Sequence, residues 1–186
     1  MKICFTGHRP GKLGGYDWNS EKNKEIMASI RKVIIEIYNS MENKEEVLEI
    51  RVGGALGIDQ MAFAVAYELV EEGYNIKLIV CVPFKEQCKA WPQNSQNIYM
   101  DQLNKADEVI YVDRLVNTKY VVANNKIDIY IANKMQLRNI YMVDNSDKVI
   151  AYFNGEKKGG TYNCIKYAES LNKEIINLYE MNKKWF

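Results

Sequence analysis

Residues 47–83 read VLEIRVGGALGIDQMAFAVAYELVEEGYNIKLIVCVP. Two β-branched apolar runs, 47–52 and 76–82, flank a segment in which Ile58, Met61, Ala62, Val65, Ala66 and Leu69 recur at spacings of three and four. That spacing is one face of a helix. Gly73 stands where a helix commonly ends on a left-handed residue. The run 76–82 is apolar at nearly every position, which suits a strand covered on both faces, and Pro83 closes it. Strand, helix, strand over this length predicts a parallel pair joined by a right-handed crossover.

The same alternation extends in both directions. Residues 2–6 predict a first strand. Ser20 can cap a helix whose stripe is Ile26, Ile30, Val33, Ile37 and Met41. A shorter helix is predicted over 95–105 and a strand over 107–112. A helical segment is expected from about 120 to 135, with a continuation through 138–143. A strand over 148–153 follows, then a helix opened by Gly159-Gly160-Thr161 and carried through Ile165, Ala168 and Leu171. A last strand is expected over 174–178, and Trp185-Phe186 ends the chain. The expectation is an α/β fold of three layers, α/β/α, around a mostly parallel sheet. A single domain is expected over 1–186, since the length suits one such unit.

Composition narrows the function classes. The 186 residues are 47% hydrophobic and 26% charged, with 25 basic and 24 acidic side chains and a net charge of +1. This balance argues against a protein that holds duplex nucleic acid mainly by charge, so nucleic acid is an unexpected partner. No apolar run approaches the ~20 residues that span a bilayer, and the first residues read as a strand rather than a signal peptide. A cytoplasmic location without membrane contact is expected. The four cysteines, Cys4, Cys81, Cys88 and Cys164, form no CxxC pair, and His8 is the one histidine. Neither a disulfide framework nor a metal site is expected.

Ligands of open parallel sheets bind beyond the carboxyl ends of the strands, and the distinctive residues collect there. Gly7, His8 and Arg9 follow the first strand; Gly53, Gly54, Ala55, Leu56, Gly57 and Asp59 follow the second; Pro83, Phe84 and Trp91 follow the third; Gly159, Gly160 and Thr161 follow the fifth. Two of these are strand, glycines, helix start. Glycine lets backbone approach a ligand, and a helix start presents unpaired N–H groups and partial positive charge, which together make an anion site. There is no GxxxxGK[ST] and no GxGxxG after the first strand, so neither a Walker-type NTPase nor the standard dinucleotide fingerprint is present. Each candidate has a plainer reading. Gly57 can serve only close helix-to-strand packing, His8 can shape a turn, Asp59 can stabilise a helix dipole, and Trp91 can cover core. Gly54→Val is expected to abolish ligand binding with the fold intact.

Taken in order, Thr6-Gly7-His8-Arg9-Pro10, Gly53-Gly54-Ala55-Leu56-Gly57-Ile58-Asp59, Pro83-Phe84 with Gln87 and Trp91-Pro92, Arg138-Asn139-Ile140-Tyr141-Met142-Val143 and Gly159-Gly160-Thr161 resemble the YpsA-like branch of the SLOG superfamily. That superfamily joins the DNA-processing protein Smf/DprA with the LOG cytokinin-activating enzymes. The resemblance implies a Rossmann-like fold, a nucleotide or nucleotide-derived ligand at the glycine edge, and a stress, cell-division or phage-defence context. LOG enzymes cleave the N-glycosidic bond of a nucleoside monophosphate with an Arg and a Glu. Arg138 resembles the first, while the position of the second, three after Thr161, holds Cys164. A thiol cannot stabilise an oxocarbenium-like charge as a carboxylate does, and Asp59 or Asp147 could substitute only where the geometry allows. The expected function is therefore binding of a nucleotide-like small molecule, as sensor or sequestering module, with no cofactor. Its alternatives are a LOG-like hydrolase, with Arg138 and Asp59 as catalytic candidates, and a single-stranded nucleic acid binder. A homo-oligomer is expected.

Overall fold

The computed structural model describes residues 1–43, 45–116 and 118–183; Trp185 and Phe186 lie outside the described residues. Six strands form one sheet: β1 (Lys2–Gly7), β2 (Leu48–Val52), β3 (Ile76–Val82), β4 (Glu108–Tyr111), β5 (Lys148–Tyr152) and β6 (Glu174–Asn177). Their order across the sheet is β4-β3-β2-β1-β5-β6, and every pair is parallel. The chain steps outward from β1 to β4, then returns to place β5 beside β1. This reversal opens a crevice at the carboxyl ends of the central strands.

Side chains alternate across the strands with period two. Ile3, Phe5, Ile50, Leu78, Val80 and Ile150 face one core together with the helices α1 (Glu21–Ser40), α2 (Ile58–Glu71), α3 (Gln93–Lys105) and α6 (Leu178–Lys183). Cys4, Ile79, Cys81 and Val149 face the other, under α4 (Ala132–Asp144) and α5 (Gly159–Ser170). The three-layer α/β/α reading therefore holds, and the sheet is wholly rather than mostly parallel. Ser20 caps α1, its Oγ accepting from Asn23 N at 3.4 Å.

One expected element is absent. Residues 120–131 form turns rather than a helix, and α4 begins only at Ala132. Asn124 and Asp128 adopt left-handed backbone with φ of 53° and 62°, and Asn125 Nδ2 donates to Asp113 O at 2.6 Å. Short polar side chains that bond the backbone locally compete with helix. A buried ion pair, Lys134 Nζ to Asp113 Oδ2 at 2.9 Å, completes the segment, and Lys134 also donates to Lys126 O at 2.7 Å. The last strand is shorter than expected, because Leu178 starts α6.

Candidate functional site at the carboxyl edge of the sheet

The loop after β2 is built around Gly53. A Cβ there would overlap the Arg138 guanidinium and press on Asp59 Oδ2 at 2.7 Å. Arg138, buried on α4, donates through Nη1 to Gly53 O and, at 3.4 Å, to Cys81 O. Its Nε donates to Asn139 Oδ1 at 2.9 Å. Asp59 Oδ2 accepts from Gly53 N at 3.0 Å and Ala55 N at 3.4 Å. Burial pushes the Asp59 carboxyl above the usual carboxylate range, against the opposing pull of Arg138, the two backbone donors and Arg9. The two residues expected to be catalytic thus hold the loop from behind and do not line the cleft described below.

The other glycines of this edge divide sharply. Gly54, at φ +64°, has Tyr99 Cε2 2.7 Å from where its Cβ would be, and Gly57, at φ +93°, abuts His8 O. Gly7 abuts Ile58, and Thr161 Oγ1 donates to Gly7 O at 2.9 Å. The protein itself thus occupies the space at each of these positions. Gly54→Val would strain the backbone and displace Tyr99, so it should destabilise the fold and is not the silent change the sequence suggests. Gly159 and Gly160 differ. Nothing lies within 4 Å of a Cβ on Gly159, and on Gly160 only Asn139 Nδ2 does, at 4.0 Å.

Those two glycines open onto a cleft of about 740 Å³. Of the sequence candidates, Arg9, Phe84, Trp91, Gly159 and Gly160 line it. Gly7, His8, Gly53, Gly54, Ala55, Leu56, Gly57, Asp59, Pro83, Arg138 and Thr161 do not. Arg9 makes no side-chain hydrogen bond or ion pair among the described residues. Arg9 is exposed, and partial loss of hydration lowers its pKa below the usual arginine value, with Asp59 opposing and Arg138 adding to the effect. Phe84 stacks edge-on against Tyr130, with ring centroids 5.7 Å apart. Trp91 meets Tyr99 in the same way at 5.5 Å. The helix α5 begins here without a side-chain cap and without an acidic residue in its first turn.

His8 ties the ends of β1 and β5 together. Its Nε2 lies 2.9 Å from Asn154 Oδ1 and 3.1 Å from Asn154 N; a protonated Nε2 donates to the side-chain oxygen and an unprotonated one accepts from the backbone amide, so the tautomer sets which bond forms. Burial lowers its pKa below the ordinary value. Next to it, Glu156 pairs with both Lys12 and Lys158. These two lysines hold its carboxyl down to about 2.

Sequence reasoning missed Tyr130, Met135, Gln136, Asn139 and Asn163. The signal for three of them was present: Met135, Gln136 and Asn139 are spaced as one face of α4. Tyr130 comes from the segment read as helix. Cys164 does not line the cleft. It is 2% exposed, packed in the core of the second face with Cys4 and Met142, and burial pushes its thiol up to about 11.

A family model described as the YspA SLOG family matches residues 3–184. The chain belongs to this YpsA family. It is 37% identical over 143 residues to the SPbeta prophage-derived protein YoqJ of Bacillus subtilis (strain 168), covering 77% of this chain and 82% of that one. It is 26% identical over 178 residues to a UPF0398 protein of Bacillus thuringiensis (strain Al Hakam), covering 95% and 86%. Among solved structures it is similar to DNA processing protein A of Streptococcus pneumoniae, with a TM-score of 0.57 and 17% identity. A second is the same protein of Helicobacter pylori, described for its single-stranded DNA binding mode, with a TM-score of 0.56 and 17% identity. The match takes in 94% of this chain in both cases but only 48% and 63% of those chains. At that identity the likeness is one of fold. The expected membership of the YpsA-like SLOG branch and the expected Rossmann-like α/β architecture both stand. Among the described residues, no helix is long and apolar enough to cross a membrane.

Proposed function

We propose that this YpsA-family protein binds a nucleotide or nucleotide-derived ligand in the cleft, as a sensor or sequestering module. The observation that carries this is the uncapped, open start of α5 at Gly159 and Gly160, sharing the cleft with the unpartnered Arg9. Unpaired helix N–H groups and a free guanidinium suit a phosphate. Trp91, Phe84 and Tyr130 offer apolar and aromatic surface for a base. Gly7, His8, the loop 53–57, Asp59, Arg138 and Thr161 act one layer behind, holding the backbone that shapes the cleft. Gly160→Val is the test, because a Cβ there comes no nearer than 4.0 Å to the side chains around it, Asn139 Nδ2 being the nearest, and the added methyls project into the space an occupant would use. Calorimetry with AMP as probe, and mass spectrometry of small molecules released from the denatured protein, should show binding that Gly160→Val and Arg9→Ala each weaken at least tenfold. Unchanged affinity in both folded variants removes the reading.

A second reading, single-stranded DNA in the same cleft, is favoured by the fold shared with DNA processing protein A and by Tyr130, which is 67% exposed. Exposed aromatics beside cations are a stacking platform for bases. With a net charge of +1, we expect only weak oligo(dT) binding near physiological salt. Submicromolar affinity with a steep salt slope would reverse the ranking.

A further inference from the structure

Away from the carboxyl-edge cleft, α2 and α3 and the loop before α1 enclose a cavity of about 330 Å³. Its walls are aromatic: Trp18, Phe63 and Tyr67, the last two parallel to within 8° at 6.4 Å between centroids. Two carboxylates line it, Glu68 and Asp101. Glu68 makes no side-chain ion pair or hydrogen bond among the described residues. Gln102 also lines it and is 4% exposed. Its Nε2 donates to Gln60 O at 2.8 Å, and its Oε1, fully buried, has no partner. The chain already places one cation of its own here. Lys105 Nζ sits 5.0 Å above the Tyr67 ring and 2.8 Å from Asp101 Oδ2. Aromatic faces and carboxylates favour an ammonium group. Trp18 and Ile98 continue from this cavity into a smaller one of about 210 Å³, where Gln60, Asn94 and Ser95 supply further polar atoms.

We propose that this groove is a second ligand site, specific for an elongated aliphatic di- or polyamine. One ammonium group enters between Tyr67, Glu68 and Asp101, and the methylene chain runs along Trp18 and Ile98. The far amine reaches Asn94 and Ser95. Lys105 is the built-in competitor for the first position.

Calorimetry with hexamethylenediamine, and with uncharged hexanediol as its control, tests this on the full chain. The diamine should bind and the diol should not. Asp101→Asn, an exposed substitution that keeps the fold, should weaken the diamine about tenfold, as expected for one lost charge-assisted contact. Trp18→Leu should weaken it as well. Lys105→Met, which removes the competitor while leaving its carboxylate in place, should tighten it several-fold. Gly160→Val, in the other cleft, should leave it unchanged. Equal binding of diamine and diol, no binding at millimolar diamine, or an affinity indifferent to both Asp101→Asn and Lys105→Met overturns the proposal.

Discussion

At the scale of single residues, the glycine-rich edge is held by buried polar groups that bond its backbone. Asp59 is the clearest case. Removing its carboxylate leaves Gly53 N and Ala55 N without their acceptor. An unpaired buried donor costs about 1–3 kcal/mol, so Asp59→Ala should lower stability by that amount in urea unfolding, and Asp59→Asn, which keeps an oxygen, by less. His8 gives a pH signature. Its pKa in the folded protein lies below its ordinary 6.5, so the unfolded chain takes up the proton first. The stabilisation is complete above about pH 6.5 and is lost as pH falls below it. Thermal melts at pH 7.5 and 5.5 should show a drop in wild type that is smaller in His8→Gln.

At the scale of elements, two tethers shape the approach to the cleft. The first is Lys134 with Asp113, whose side chains are 2% and 1% exposed. Breaking one side of a buried pair costs about 3–5 kcal/mol, and Asp113 Oδ2 also accepts from Asp128 N at 2.9 Å. Lys134→Met should therefore destabilise the protein by about that much, and hydrogen exchange should rise more in 118–131 than in β1 or β3. The second tether is Glu156 with Lys12 and Lys158. Because its pKa is lowered from 4.5 to about 2, its contribution is present above about pH 4.5 and fades as pH falls toward 2. The pair is exposed, so the effect should be small and salt-sensitive. A carboxylate titration by NMR should find Glu156 ionised at pH 3.5 in wild type and shifted upward in Lys12→Met.

At the scale of the whole molecule, the position that would carry a LOG-type glutamate faces the core of the second face. Cys164→Glu should then confer no activity and should cost about 1–3 kcal/mol as an acid forced into the core. The cleft carboxylates are committed elsewhere, Glu86 to Lys89 at 2.9 Å and Asp128 to Arg114 at 2.7 Å. Chromatography of AMP incubated with the purified protein should accordingly show little or no free base. Robust turnover abolished by Arg138→Ala and by Asp59→Asn would instead make those two residues catalytic.

The sequence by itself determined the layer architecture and pointed to the edge that carries the candidate cleft. Strand and helix periods are local properties, and runs such as Ile76–Val82 record burial on both faces directly. It also placed glycines at 53, 54, 57, 159 and 160 but did not show the reason for each. That reason is tertiary. Gly53, Gly54 and Gly57 are required by Arg138, Tyr99 and the His8 carbonyl, which come from α4, α3 and the end of β1, while Gly159 and Gly160 face open space. No spacing along the chain encodes such a contact. The segment 120–131 escaped for the same cause. Its apolar residues suggest a helix, but the buried Asp113–Lys134 pair and the left-handed Asn124 and Asp128 impose turns. Only the packed structure brings those partners together, and with them decides which of the edge residues reach the cleft and which stand behind it.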